Sequence, residues 1–204
     1  MQTMFPITTE SPITGLILAG GKARRLNGED KGLIQLGDSP LIAHVITKLR
    51  TQTSTVIINA NRNQASYAQF DCPVIADSLT DFAGPLAGFL AGLQNISTEW
   101  MVTVPCDNPD LPDNLVATLS STANKNRCRL TVASSQSRLQ PVYCLLHRSL
   151  ADSLSDFLAS NQHKVQDWIK AQEHCVAEFD ETKIFKNINT PEQLAEAEKN
   201  HDSV

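Results

Sequence analysis

The sequence predicts an α/β protein, a single domain in which a mostly parallel central sheet lies between helices. The chain has 204 residues, of which 41% are hydrophobic and 19% are charged, values typical of one globular domain. Short apolar runs typical of buried strands alternate with segments whose apolar residues recur at helical spacing. Strands that alternate with helices favour parallel pairing through right-handed crossovers.

The first half of the chain supplies four predicted strands with helices between them. The predicted strands lie at residues 15–18, 55–58, 72–76 and 100–104. Ser39-Pro40 is typical of a helix start with proline at the first helical position, and the apolar residues from Leu41 to Leu49 predict one buried helix face. Pro85 predicts the start of a second helix.

The second half is less regular. Strands are predicted at 130–133 and 141–146, joined by the polar segment 134–138, and short strands at 176–179 and 184–185. Helical stripes are predicted at 150–158 and 165–169. Thr190, Pro191 and Gln193 form the pattern of a helix capping box. We expect residues 1–13 to be a flexible lead-in, 14–198 to form the domain and 199–204 to be a frayed tail.

Composition argues against several classes of protein. The formal net charge is −5, so the charge pattern of a nucleic-acid binder is lacking. No apolar run approaches the roughly 20 residues of a membrane span, and the first residues do not resemble a secretory signal. The five cysteines are scattered and odd in number, which predicts neither zinc nor a disulfide framework but reduced thiols in a cytoplasm.

The stretch after the first strand predicts a phosphate site. Gly20 and Gly21 end the apolar run, and a glycine turn there can direct successive backbone N–H groups towards an oxyanion. Cations follow in the same stretch, at Lys22, Arg24, Arg25 and Lys31. The alternative is a solvated basic loop. Neither the Walker pattern nor the dinucleotide fingerprint is present.

Polar side chains also follow the other predicted strands. Asn59 follows the second strand, Asp77 the third and Asp107 the fourth. The carboxyl ends of strands are where open α/β sheets bind ligands. Asp107 in particular follows a buried strand, where a carboxylate has little structural purpose.

The stretch LAGGKARRLNGEDK at 18–31 resembles the signature of the GT-A-like nucleotidyltransferases, and its detailed form looks most like the MobA-type molybdenum cofactor guanylyltransferases. The likeness covers nearly the whole chain, and its further motifs lie at 56–62, 77–88, 105–107, 140–141 and 187–194. Asn27 departs from the glycine that many relatives have there, and 128–139 is the least family-like segment.

The resemblance implies a Rossmann-like three-layer sandwich of the GT-A-like nucleotidyltransferase fold. It implies transfer of GMP from GTP to molybdopterin or its molybdenum-loaded form, with release of pyrophosphate. The implied Mg²⁺ ligand is Asp107, and Lys31, Asp107 and Arg25 would be catalytic. The predicted nucleotide and acceptor contacts are Leu18, Ala19, Gly20, Gly21, Lys22, Lys31, Asn59, Asp77, Asp107, Asn187 and Asn189.

Two assignments and two rival functions stay open. Asn59 and Asp77 are candidates for the guanine edge and the ribose, in either order. Asn187 and Asn189 are expected on the pterin side, where the alternative is that they only shape the turn into the capping box. The rival functions are a cytidylyl- or sugar-1-phosphate nucleotidyltransferase and a non-catalytic nucleotide-binding module. The resemblance also implies transient contacts with molybdoenzymes or their chaperones, and no membrane or nucleic-acid partner.

Overall fold

The computed structural model describes residues 5–19, 30–78, 84–180 and 185–201. The described strands are β1 (Ile13–Leu18), β2 (Gln35–Leu36), β3 (Ser39–Pro40), β4 (Thr55–Asn59), β5 (Val74–Ile75), β6 (Trp100–Pro105), β7 (Leu130–Ser135), β8 (Arg138–His147) and β9 (Cys175–Phe179).

The described helices are α1 (Leu41–Arg50), α2 (Gln64–Tyr67), α3 (Pro85–Asn95), α4 (Leu115–Asn126), α5 (Ala151–Ala159), α6 (Val165–Lys170) and α7 (Pro191–His201). Short 3-10 turns occur at Lys31–Leu33, Ala68–Phe70 and Arg148–Leu150. Within the described ranges, no helix has both the length and the apolar character needed to span a bilayer.

Seven strands form one sheet in the order β5-β4-β1-β6-β8-β7-β9. Of these seven strands, β8 alone runs against the others, because it pairs antiparallel with β6 and with β7. The remaining neighbours pair in parallel. The prediction of a mostly parallel α/β sheet is confirmed.

Helices cover both faces of the sheet. Successive strand residues point to opposite faces, so Leu16 packs with α3, α5 and α6, whereas Ile17 packs with α1 and α4. Both side chains are fully buried. The result is the predicted three-layer sandwich with one apolar core on each side of the sheet.

Two predicted boundaries are wrong. Pro40 is not the first helical residue, because Gly37 turns the chain back at φ 60° and Pro40 pairs with Gln35 before α1 begins at Leu41. The link predicted at 134–138 is mostly strand, because Gln136 and Ser137 both have positive φ and form a two-residue turn between β7 and β8.

The predictions for three short strands have different outcomes. The third predicted strand is reduced to Val74–Ile75. The strand predicted at 176–179 is confirmed as β9 and begins one residue earlier, at Cys175. Of the strand predicted at 184–185, Phe185 lies in a turn and Ile184 is outside the described residues.

The prediction that all cysteines are reduced is also wrong. Cys128 and Cys175 form a disulfide, with their Cα atoms 6.1 Å apart. Cys128 lies just before β7 and Cys175 begins β9, and these two strands are parallel neighbours. Their sequence separation of 47 residues gives no sign of this proximity. Cys72, Cys106 and Cys144 are free and buried.

The described part of the lead-in packs on the domain. Ile7 is buried, and its backbone N–H and carbonyl each bond the side chain of Asn124 at 2.7 Å. Phe5 packs against Trp100, with ring centroids 5.6 Å apart. At the other end, α7 continues to His201, into the segment expected to be a tail.

Candidate active site

The carboxyl ends of β1, β4, β5 and β6 meet at one edge of the sheet. Leu18 pairs with Asn59 on one side and with Pro105 on the other. Asn59 in turn pairs with Ile75. This register brings together the polar residues that follow these strands, which the sequence alone could only place one by one.

Lys31 and Asp107 form an ion pair at this edge. Lys31 Nζ lies 3.2 Å from Asp107 Oδ2 and also donates a 2.5 Å hydrogen bond to Asn189 Oδ1. Three predicted site residues from distant parts of the chain therefore meet at one ammonium group.

The carboxylate of Asp107 is buried, and within the described part of the chain only one of its two oxygens is paired. The residue is only 6% exposed, and its burial raises the pKa of the carboxyl, although the Lys31 ammonium acts in the opposite direction. Oδ2 faces Lys31, whereas the buried Oδ1 has no hydrogen-bond partner among the described residues. An unpaired buried carboxylate oxygen is costly, so this atom is suited to receive a cation.

Asp30 and Tyr67 fix the backbone that carries Lys31, and we did not predict either as a site residue. Asp30 is buried and accepts a 2.5 Å hydrogen bond from the hydroxyl of the fully buried Tyr67. A Cβ on Gly32 would lie 2.7 Å from that hydroxyl and 3.3 Å from Cys106, so only glycine fits there. The local sequence signal for this part of the site was Asp30-Lys31-Gly32 itself. Tyr67, the hydrogen-bond partner of Asp30, lies 37 residues further along the chain.

Asp77 is held by two asparagines. Asn59 Nδ2 donates to Oδ1 at 2.9 Å, and Asn61 Nδ2 donates to Oδ2 at 2.7 Å. The backbone N–H of Asp77 also donates to Asn61 Oδ1 at 2.8 Å. Sequence reasoning placed Asn61 in a motif but gave it no role.

The segment Asn187–Asn189 lies against the Asp107 loop. Ile188 donates its N–H to the carbonyl oxygen of Asp107 at 2.8 Å. The buried hydroxyl of Tyr143 donates to Asn187 Oδ1 at 3.2 Å and accepts from Asn108 at 2.8 Å. The predicted capping box is confirmed, since Thr190 and Gln193 exchange backbone-to-side-chain bonds.

The first strand contributes backbone to the site. Ala19 is buried and donates its N–H to the carbonyl oxygen of Asn59 at 2.9 Å, and the carbonyl of Leu18 accepts from Cys106 at 3.2 Å. Several predicted site residues lie outside the described residues, namely Gly20, Gly21, Lys22 and Arg25. Within the described ranges, no group of three or more His, Cys, Asp or Glu side chains could hold a metal ion.

Comparisons with known proteins identify the family of the chain. A family model described as "MobA-like NTP transferase domain" matches residues 15–176. A protein of Cupriavidus metallidurans named molybdenum cofactor guanylyltransferase is 44% identical over 187 residues, covering 89% of this chain and 92% of that protein. A protein of the same name from Shewanella halifaxensis is 42% identical and covers 93% of this chain and 98% of its own length.

Solved structures share the fold. The molybdopterin-guanine dinucleotide biosynthesis protein A of Archaeoglobus fulgidus superposes with a TM-score of 0.78 at 21% identity, covering 94% of this chain and all of that chain. A 2-C-methyl-D-erythritol 4-phosphate cytidylyltransferase from Thermus thermophilus has a TM-score of 0.68 at 13% identity and covers 92% of this chain and 98% of its own. With a family model that spans most of the chain and relatives at 44% identity, the protein belongs to the MobA-like NTP transferase family.

Proposed function

We propose that this nucleotidyltransferase moves GMP from GTP to molybdopterin or its metal-loaded form, and that the reaction depends on Mg²⁺. The observation that carries the proposal is the Lys31–Asp107 pair at the carboxyl edge of the sheet, with the second oxygen of the Asp107 carboxylate unused. The names of the relatives at 42–45% identity support GTP as the donor and the molybdenum cofactor as the acceptor.

The chemistry is one substitution at phosphorus. An oxygen of the acceptor's terminal phosphate bonds to the α-phosphorus of GTP, and the bond from that phosphorus to the bridging β-phosphate oxygen breaks. Pyrophosphate leaves with the electron pair. A phosphate monoester has a second pKa of about 6 and is largely dianionic near neutrality, so the acceptor needs no base from the protein.

The residues of this chain would act by position and charge. The Lys31 ammonium is fixed by Asp107 and Asn189, where it would offset negative charge on the triphosphate as the leaving group departs. Arg25 and Lys22, outside the described residues, are proposed to add positive charge on the same side. In-line attack then requires the acceptor to approach from the opposite side of the α-phosphorus.

Asp107 fits Mg²⁺ by the chemistry of its free oxygen. Mg²⁺ takes oxygen ligands and commonly binds through one or two carboxylates together with substrate phosphates and waters. Among the described residues Asp107 belongs to no group of three or more potential metal ligands, which matches that mode better than a site made wholly by protein. When bound, the ion would neutralise phosphate charge and polarise the phosphoryl oxygens.

Strand order suggests which way the nucleotide lies. The end of β5 is three strand positions from the end of β6, about 14 Å along the edge of the sheet. With the phosphates beside Asp107, the nucleoside would extend towards Asp77. The amide of Asn59 is already committed to Asp77, so we assign the nucleoside contact to Asp77 and a supporting role to Asn59.

The acceptor is proposed to lie beside Asn187 and Asn189. Their segment precedes the N-terminus of α7, and helix N-termini favour anions such as the acceptor phosphate. We further propose that the protein works in the cytoplasm and passes its product to molybdoenzymes or their chaperones through transient contacts.

The test is an assay of pyrophosphate release with molybdopterin, Mg²⁺ and each nucleoside triphosphate in turn. We expect release with GTP and its loss when the metal is chelated. Release with CTP but not GTP would instead favour a cytidylyltransferase. Tight GTP binding without turnover, in the presence of metal-loaded acceptor, would favour the non-catalytic module.

A further inference from the structure

We propose that Asn61 is a positioning residue, which orients the Asp77 carboxylate so that it accepts two neighbouring hydrogen bonds from the nucleoside. The inference rests on the proposed function, because it concerns how the same site selects its nucleotide. Asn61 does not itself touch the substrate. Its effect is exerted through Asp77.

The contacts of Asn61 are directed at one residue. Its amide donates to Asp77 Oδ2 at 2.7 Å and accepts from the backbone N–H of Asp77 at 2.8 Å. Asn59 supplies the second donor, to Asp77 Oδ1 at 2.9 Å. Since each carboxylate oxygen receives an amide hydrogen from a different residue, the carboxylate cannot rotate without breaking one of these charge-assisted bonds.

A carboxylate held in this way still has acceptor capacity. Two carboxylate oxygens offer about four lone-pair sites, and the two asparagines use two of them. Asp77 is half-buried, so part of the residue is still open to a ligand. They suit two adjacent donors, which a nucleoside offers either as guanine N1–H and N2–H or as the ribose hydroxyls.

The position of Asp77 favours the guanine edge. Asp77 follows the outermost strand of this end of the sheet, whereas Asp107 follows β6 on the far side of β1 and β4. The ribose lies between phosphate and base in any nucleotide, so the residue farthest from the phosphates meets the base. A site built to bond a substrate N–H strongly rejects an analogue that lacks it.

Asn61 is a better subject for this test than Asn59. Asn59 is 2% exposed, and a Cβ built on Gly88 of α3 would collide with its Oδ1, so substitution there would disturb the core. Asn61 is exposed, so we expect its replacement to leave the packing of the sheet intact. The changes of choice are Asn61→Ala, which removes both the donor and the acceptor, and Asn61→Asp, which keeps the acceptor for the Asp77 N–H, removes the donor and adds a negative charge beside the Asp77 carboxylate.

The experiment compares kcat and KM for GTP, inosine triphosphate and 2′-deoxyGTP in the wild-type protein and the variants. Inosine triphosphate lacks the N2 amino group, and 2′-deoxyGTP lacks one ribose hydroxyl. For Asn61→Ala we expect KM for GTP to rise about tenfold with kcat nearly unchanged, because a misoriented Asp77 carboxylate binds the nucleotide less well in the ground state and in the transition state alike. For Asn61→Asp, which also adds like-charge repulsion, we expect a rise at least as large. The preference for GTP over inosine triphosphate should fall in parallel.

Ser78→Ala is the matched control. Ser78 is the exposed neighbour of Asp77, and its hydroxyl bonds Gln94 and not the carboxylate. We expect its kinetics and melting temperature to equal those of the wild-type protein. A purely structural role of Asn61 would lower the melting temperature without changing the ratio between nucleotides.

The outcomes separate the proposal from the function on which it rests. Loss of discrimination against inosine triphosphate supports the role at the base, and loss of discrimination against 2′-deoxyGTP alone supports the same role at the ribose. Unchanged ratios in both Asn61 variants overturn it, as does a wild-type protein that discriminates against neither analogue. If no nucleotide turns over, the proposed function fails, and calorimetric binding of the same three nucleotides then decides the role of Asn61.

Discussion

The backbone N–H of Ile188 donates a 2.8 Å hydrogen bond to the carbonyl oxygen of Asp107. This bond joins the last part of the chain to the loop that carries the proposed metal ligand. Ile188 is also buried, in a small cluster with Leu36 and Leu41. The segment before α7 is therefore attached to the candidate site and is not a peripheral linker.

Removing this donor should impair turnover. Ile188→Pro has no N–H to give, so we expect the Asp107 loop to lose its anchor and kcat to fall, with secondary structure retained. Ile188→Ala is the control, because it loses side-chain packing but keeps the N–H. Equal kinetics in the two variants, measured by pyrophosphate release, would show that packing and not the hydrogen bond matters.

Substitution of Lys31 or Asp107 should lower the reaction rate strongly while the protein stays folded. We expect Lys31→Ala and Asp107→Ala each to lower kcat by about 10² to 10³, the usual effect of removing one electrostatic stabiliser. Asp110→Ala should be mild, since Asp110 is exposed on the same loop. Circular dichroism would check folding. Mg²⁺-dependent activity of Asp107→Ala within about tenfold of the parent would contradict the metal role.

Substitutions of Asn187 and Asn189 should have different effects on ligand binding. Asn187 bonds Tyr143, so Asn187→Ala should weaken molybdopterin binding and leave GTP affinity nearly unchanged. Asn189 bonds Lys31, so Asn189→Ala should affect both ligands. Calorimetric titration of each variant with each ligand separates these effects. Parent-like pterin binding in both variants would place the acceptor elsewhere.

Gly32 and Tyr67 should be thermodynamically coupled. Gly32→Ala brings a Cβ to 2.7 Å from the Tyr67 hydroxyl, and overpacking of this kind costs about 1–3 kcal/mol of unfolding free energy. Tyr67→Phe removes that hydroxyl, at the cost of its bond to Asp30. Urea unfolding should find that the double variant loses less stability than the sum of the single variants. Additive losses would mean that Gly32 is limited by Cys106 instead.

Protonation of His147 should lower the stability of the folded protein as the pH falls. Burial lowers its pKa below the ordinary value of 6.5, and its ring packs against Trp100 with centroids 4.9 Å apart. Between the lowered pKa and 6.5, the unfolded chain binds more protons than the native protein, so stability rises with pH across that window. We expect the melting temperature of wild type, relative to His147→Phe, to fall as pH decreases below about 6.5. A constant difference from pH 5 to 8 would contradict this.

Several elements were predictable because their signals are local. The apolar runs of β1, β4 and β6 and the capping box of α7 are each contained in a few consecutive residues. The predictions of a helix start at Pro40 and of a polar link at 134–138 were wrong. Turns at Gly37 and at Gln136-Ser137 change the local direction of the chain. Gln136-Ser137 lacks the Asn-Gly or Asp-Gly signal of such turns, so its sequence favoured a plain polar loop.

By itself, the sequence determined the fold class, the family and the positions of Lys31, Asn59, Asp77 and Asp107 after successive strands, because hydrophobic periodicity and strand-end polarity are encoded within short segments. Only the tertiary structure decided which of the distant side chains contact one another. The pairs Asp30–Tyr67, Asn61–Asp77 and Lys31–Asn189 join residues 37, 16 and 158 positions apart. The physical reason is that such hydrogen bonds depend on the register of neighbouring strands and on the close approach of backbone at Gly32 and Gly88, which no local pattern reveals.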